Sequence, residues 1–152
     1  MITATRYHDI SCGHRVHGHE SKCQHLHGHN YRIHFTVGRD DEALDDIGRV
    51  LDFSVIKSRL CMWIEEHWDH KFLVWEDDDL MRDLLYPAGI HSGPVIHLIN
   101  TSIVWVQFNP TAENMAEFLL KVVGPLVLDG TGCQLLRVSI DETRKCSAAV
   151  EL

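Results

Sequence analysis

Eight of the chain's twelve histidines, His8, His14, His17, His19, His25, His27, His29 and His34, lie within its first thirty-four residues. Imidazoles gathered at this density need a common partner for their lone pairs, and a metal ion is the partner that binds them best. His27 and His29 flank Gly28 immediately before an alternating run, Tyr31, Ile33, Phe35 and Val37 against Arg32, His34 and Thr36, which reads as a strand over 31–37. Residues two apart in a strand face the same way, so both imidazoles can converge on one ion, with the glycine relieving backbone crowding between them. A first strand over 2–15, paired hairpin-fashion with the second, ends beside its head and offers His14 as the third ligand. Three neutral imidazoles with an open fourth position describe a catalytic rather than a structural zinc site. A second H-G-H, His17-Gly18-His19, competes on spacing, but Glu20-Ser21-Lys22 after it reads as loop, whereas a strand follows the later pair directly.

The rest of the chain predicts one domain over 1–152. It is long enough to bury a core unaided, and its 45% apolar and 24% charged residues are ordinary globular values. From Asp52, a candidate N-cap, Ile56, Leu60, Trp63 and His67 recur at helical spacing, which predicts a helix over 53–68. Residues 76–93 read as a loop with a helical turn near 79–86, and 95–99 and 103–107 as two short strands pairing across 100–102. Asn109-Pro110-Thr111 opens a second helix with the stripe Met115, Phe118, Leu119, Val122, Val123 and Leu126, its end frayed by Gly124-Pro125; 135–142 and 147–152 make a final hairpin. The order is that of an α+β domain whose sheet leaves two open edges, and pairing those edges with other copies would protect them.

A formal charge of −8 repels phosphate backbones and anionic lipid, arguing against nucleic-acid and membrane-surface partners. No run of eighteen apolar residues occurs, and the first residues do not resemble a secretion signal. Five cysteines without a C-x-x-C pair fit a reducing cytoplasm. Of these, Cys23 stands four residues before His27, where a nearby dication would make a usable thiolate, though it could equally close the metal site as a ligand. Asp69-His70 pairs a carboxylate with an imidazole, the arrangement that fixes a tautomer for acid–base work. Glu142 is a carboxylate at a strand end, placed to anchor a ligand's N–H groups or to stay solvated.

In combination, Cys23-Gln24-His25-Leu26-His27-Gly28-His29-Asn30-Tyr31, Leu51-Asp52-Phe53, Trp68-Asp69-His70, Asn109-Pro110-Thr111-Ala112-Glu113-Asn114 and Asp141-Glu142-Thr143 resemble, in order and over almost the whole chain, the 6-pyruvoyltetrahydropterin and 6-carboxytetrahydropterin synthase family. Three residues between Cys23 and His27 resemble the carboxy branch of queuosine synthesis, where the pyruvoyl branch usually carries five. One departure is Ile10-Ser11-Cys12-Gly13-His14, which puts a second thiol, Cys12, on the strand face of His14.

The resemblance implies a tunnelling fold. In it a four-stranded antiparallel sheet with two helices on one face closes a barrel between three subunits, and two trimers stack as a hexamer. It implies zinc on His14, His27 and His29, with 7,8-dihydroneopterin triphosphate as substrate. Cys23 and the pair Asp69 and His70 would handle protons, Glu142 would hold the pterin ring, and Thr111 and Glu113 would add a further ring contact. The triphosphate would fall to basic residues among Arg15, Lys22, Lys71, Arg144 and Lys145. The pyruvoyl reaction, or a histidine-rich metal-binding protein without turnover, is the alternative.

Overall fold

The computed structural model describes all 152 residues. Its centre is a six-stranded mixed sheet. β1 (Ala4–His14) and β2 (His27–Arg39) form a long antiparallel hairpin, and β5 (Cys133–Asp141) and β6 (Ser147–Glu151) extend it in the same antiparallel sense. On the other side β3 (Lys71–Trp75) joins β1 in parallel, and β4 (Ile103–Val106) joins β3 in parallel, giving the order β4-β3-β1-β2-β5-β6. The expected four-stranded antiparallel sheet is therefore present, with a parallel pair added at one side.

Two helices cover one face. α1 spans 53–67 and α4 spans 112–128, and each contains a turn of π-helix, at Lys57–Cys61 and Leu119–Val123. Both helices begin on side-chain caps: Asp52 accepts from the Ser54 amide and Thr111 from the Asn114 amide. Ile56, Leu60 and Ile64 of α1 and Met115, Leu119 and Val123 of α4 are fully buried against Ile33, Phe35 and Val138 of the sheet. At about 25 cal/mol per Å2 each such side chain contributes roughly 1.5–3 kcal/mol, so these faces hold the helices to the sheet.

Three sequence expectations are corrected. Residues 95–99, rich in β-branched side chains, are not a strand: they lie in α3 (Pro94–Ser102), whose start is set by Gly93 at φ 94° and Pro94 in the first turn. Val95 and Leu98 are exposed, so no burial favoured the extended form. Ile103–Val106 then pairs not with 95–99 but with Lys71–Trp75, a strand the pattern reading left unassigned. A parallel pairing needs a long crossover, and residues 76–102, carrying α2 (Asp79–Leu85) and α3, provide it. Finally, Gly124-Pro125 does not fray the second helix, which runs on in α-helical form to Leu128. Pro125 lacks an N–H and would clash with the carbonyl four residues back. The proline follows directly on a π turn, in which the Gly124 amide reaches the Leu119 carbonyl five residues back.

Gly124 also sets the distance between α4 and β5. A Cβ there would lie 2.9 Å from both Cβ and Cδ2 of Leu135. Replacing Gly by Ala in a helix interior otherwise gains about 0.5–1 kcal/mol. Here overpacking of about 1–3 kcal/mol should win, so Gly124→Ala is expected to lower the urea midpoint without changing the slope. A stabilised Gly124→Ala protein would contradict the close contact.

Candidate functional site

The site starts from the register of β1 on β2. His14 lies directly opposite His27, Gly13 opposite Gly28 and Cys12 opposite His29. His14, His27 and His29 consequently share the core face at the end of the sheet, with one ring nitrogen of each lying within 4.8 Å of the others. The glycines are needed: a Cβ on Gly28 would stand 2.9 Å from the Cys12 carbonyl oxygen, and one on Gly13 would strike the Phe72 ring.

Hydrogen bonds define how the rings point. His14 Nδ1 is 2.6 Å from the Pro110 carbonyl oxygen and His27 Nδ1 is 2.7 Å from the His25 carbonyl oxygen. A carbonyl only accepts, so both Nδ1 atoms carry the proton and, in neutral rings, both Nε2 atoms present lone pairs. Those two Nε2 atoms face each other at 3.1 Å, and His29 Nε2 is buried without any partner. Lone pairs converging in this way repel unless a cation lies between them. Ligands about 2.0–2.1 Å from a tetrahedral ion stand roughly 3.3 Å apart, close to the observed separation. Burial also pushes the pKa of His14 and His29 below the usual histidine range, which keeps these rings neutral and able to bind. The residues present fit a metal ion.

Glu142 meets the trio from the end of β5. Its Oε1 is 3.7 Å from Nε2 of both His14 and His29, and it accepts from the Tyr31 hydroxyl at 3.4 Å. Tyr31, fully buried and also 3.2 Å from His14 Nε2, is a site residue the sequence reading passed over. Burial and the Glu142 carboxylate push its phenol well above the ordinary value, so it keeps its proton and can donate it to Glu142. The signal was available: 27, 29 and 31 continue one period-two face.

His29 and Glu142 open onto a cleft of about 1100 Å3 whose walls include Asp69, His70, Arg144 and Lys145. Asp69 is held from two sides: one oxygen accepts from the Ser11 amide at 2.8 Å and the other from His70 Nδ1 at 2.6 Å. Burial alone would raise the Asp69 pKa, but these bonds and the His70 ring more than offset it and the net shift is downward. His70 presents its Nε2 to the cleft, its side chain 81% exposed, from a backbone at φ 56° that non-glycine residues rarely adopt. Backbone strain of this kind, of order 1–3 kcal/mol, concentrates at functional sites.

Cys23, Thr111, Glu113, His17 and Cys12 are not on the cleft wall. Cys23 is half-buried on the adjoining turn Lys22–Gln24, near enough to Tyr31 that negative charge on it raises the phenol pKa. Thr111 uses its hydroxyl to cap α4, and Glu113 is exposed in the first turn of that helix. His17 is not with the trio but beside Asp78 and against Trp75. Cys12 stays a neutral thiol, pushed up to about 12 by burial, and stands outside the ligand trio. Of the five basic candidates, Arg144 and Lys145 line the cleft, while Arg15 pairs with Asp78 and Lys71 donates to the Thr101 carbonyl.

A profile of the family described as 6-pyruvoyl tetrahydropterin synthase matches residues 3–152. The chain belongs to that family. Within the 6-pyruvoyl tetrahydropterin synthase family it is similar to a Rickettsia felis protein named 6-carboxy-5,6,7,8-tetrahydropterin synthase, 32% identical over 99% of this chain and 100% of the relative. Among solved structures it is similar to an uncharacterized protein of Wolinella succinogenes, with TM-score 0.83 and 25% identity over 99% of this chain and 97% of that one. The Caenorhabditis elegans 6-pyruvoyl tetrahydropterin synthase, at TM-score 0.65 and 21% identity over 99% and 95% of the two chains, shares the tunnelling fold.

The lone-pair geometry makes a direct statement about metal. His27→Ala and His29→Ala proteins should each bind less than about a tenth of the metal of the parent, while His17→Ala should bind about one ion per chain, measured by elemental analysis after gel filtration. Equal loss in His17→Ala would mean the wrong histidines have been grouped.

Proposed function

We propose that this chain is a zinc enzyme of pterin chemistry, converting 7,8-dihydroneopterin triphosphate and water to 6-carboxy-5,6,7,8-tetrahydropterin, acetaldehyde and triphosphate in the cytoplasmic synthesis of queuosine. The observation that carries the reading is the convergence of Glu142 with His14 and His29 beside a cleft that Glu142, His29, Asp69 and His70 all line. The full-length likeness to the Rickettsia felis protein supports the carboxy product over the pyruvoyl one.

His14, His27 and His29 would hold the zinc, which when bound supplies Lewis acidity toward the hydroxyls of the substrate side chain. Cys23 would accept a proton from the side chain. His70, its Nδ1 proton fixed on Asp69, would exchange protons at Nε2 from the opposite side. Glu142 would receive the pterin's amino and ring N–H groups, two donors matched by one carboxylate. Arg144 and Lys145 stand on the same cleft without an ion-pair partner and would meet the triphosphate, locally opposing the acidic net charge.

Thr111 and Glu113 lie off this cleft, so on this reading their ring contact is made across a subunit boundary. Most of the outer edge of β1 and that of β6 are unpaired within the chain. Three copies joined at those edges would close a twelve-stranded barrel, and two trimers would make the hexamer.

The deciding experiment is mass analysis of products after incubating the zinc-loaded protein with 7,8-dihydroneopterin triphosphate. The carboxy product with acetaldehyde is expected; a 6-pyruvoyl product would move the chain to the sister reaction, and zinc binding without turnover would leave a metal-binding protein. Glu142→Gln should keep its zinc but lose at least about tenfold in kcat/KM, since each charge-assisted hydrogen bond is worth about 1.5–3 kcal/mol. Wild-type kinetics in Glu142→Gln would remove it from the site.

A further inference from the structure

Asp78 is the one buried carboxylate in the protein, 1% exposed, and it lies outside the cleft. A buried charge persists only when paired, and here the pair is Arg15: Nε to one oxygen at 2.5 Å and Nη2 to the other at 3.1 Å. The same guanidinium has two further engagements. Its Nη1 donates to the main-chain carbonyl of Gln24 at 3.0 Å, and Nη2 is also 3.1 Å from His17 Nδ1. Arg15 directly follows His14 and Gln24 directly follows Cys23, so one planar side chain spans the base of the segment between β1 and β2.

Neighbouring bonds close the same segment. The Val16 amide donates to the Cys23 carbonyl at 2.8 Å, and Asn109 accepts from the His17 amide at 3.0 Å and returns a bond to the His17 carbonyl at 2.9 Å. The next residue, Pro110, is the one whose carbonyl orients His14. The bonds at Gln24, Cys23 and His17 all grip main chain, and therefore fix where residues 17–24 run whatever side chains they carry. Asp78 in turn is anchored at the start of α2, where it accepts from the Met81 amide.

We propose that Arg15, held by Asp78, is a positioning residue that sets the stance of the Cys23 thiol toward His14, His27 and His29. The proposal rests on the reading of Cys23 as a proton-transfer group. Arg15 itself lines no part of the cleft and belongs to none of the ligands, so it acts only through the chain it holds. A lysine could keep the charge beside Asp78 but, as a single-point donor, could not reach Gln24 at the same time.

The test is Arg15→Lys in the full-length, zinc-loaded protein, with Asp78→Asn as a second variant. Two readouts are taken: steady-state kinetics, and the rate at which iodoacetamide alkylates Cys23, followed by peptide mass. Misplacement of an acting group by about an ångström costs up to roughly a hundredfold in rate, so kcat should fall by about ten- to a hundredfold with KM held within about twofold. Alkylation of Cys23 should change several-fold and zinc content should not. Wild-type kcat and alkylation in Arg15→Lys would overturn the proposal, as would a kcat loss that merely tracks lost zinc or a matching rise in KM. If Asp78→Asn does not fold, Arg15→Lys decides alone.

Cys23→Ala separates the two ideas. Should it retain wild-type kcat, the proton-transfer reading of Cys23 fails, while the alkylation rate of Arg15→Lys still reports whether the clamp positions the thiol. With both ideas right, adding Arg15→Lys to Cys23→Ala lowers kcat no further.

Discussion

The structure depends on the register of β1 against β2. Because side chains alternate along a strand, sliding β2 by one residue would turn Ile33, Phe35 and Val37 out of the core, and His27 and His29 with them. The apolar half of the hairpin and its histidine half are thus a single pattern. Burial of large side chains, at a few kcal/mol each, enforces an alignment that the histidines alone would oppose, since it pushes lone pairs together. The Gly13–Gly28 pair at the mouth is the local condition for that alignment, because side chains there would hit the Cys12 carbonyl and Phe72.

Polarity at the edge of the core is tightly accounted for. Each Nδ1 of His14 and His27 has a carbonyl neighbour that dictates its role, which leaves their Nε2 lone pairs facing each other and His29 Nε2 without any partner. Asp69 and Asp78 show the same economy. Burial would raise both pKa values, yet main-chain amides and a cationic or imidazole partner hold each below the ordinary carboxylate range. Both carboxylates act at one remove, Asp69 on a ring and Asp78 on a guanidinium, so charge placed just behind the site shapes what the site presents.

What the sequence made legible follows from the range of the forces involved. The histidine trio, the two long helices with their caps and the terminal hairpins rest on short-range periodicity, and the residues that reveal them are adjacent in the chain. Lys71–Trp75 lay hidden because a four-residue apolar run after a lysine has no period of its own, and 95–99 misled because β-branched residues can sit in an exposed helix once Gly93 and Pro94 have started it. The Arg15–Asp78 pair and the Pro110 carbonyl join residues 63 and 96 positions apart, respectively, and no local pattern announces such contacts.

Sequence distance also divides the site in two. The three ring nitrogens belong to a single hairpin and span only residues 14–29, so closing the loop that assembles them requires little chain entropy. Glu142 lies 111 positions from Tyr31, its hydrogen-bond donor, and reaches it only after β5 has docked on β2. The two halves of the site thereby differ in what they ask of the chain: an ion can find its nitrogens on a nearly local element, whereas the carboxylate that would greet a substrate depends on strands paired across most of the sequence.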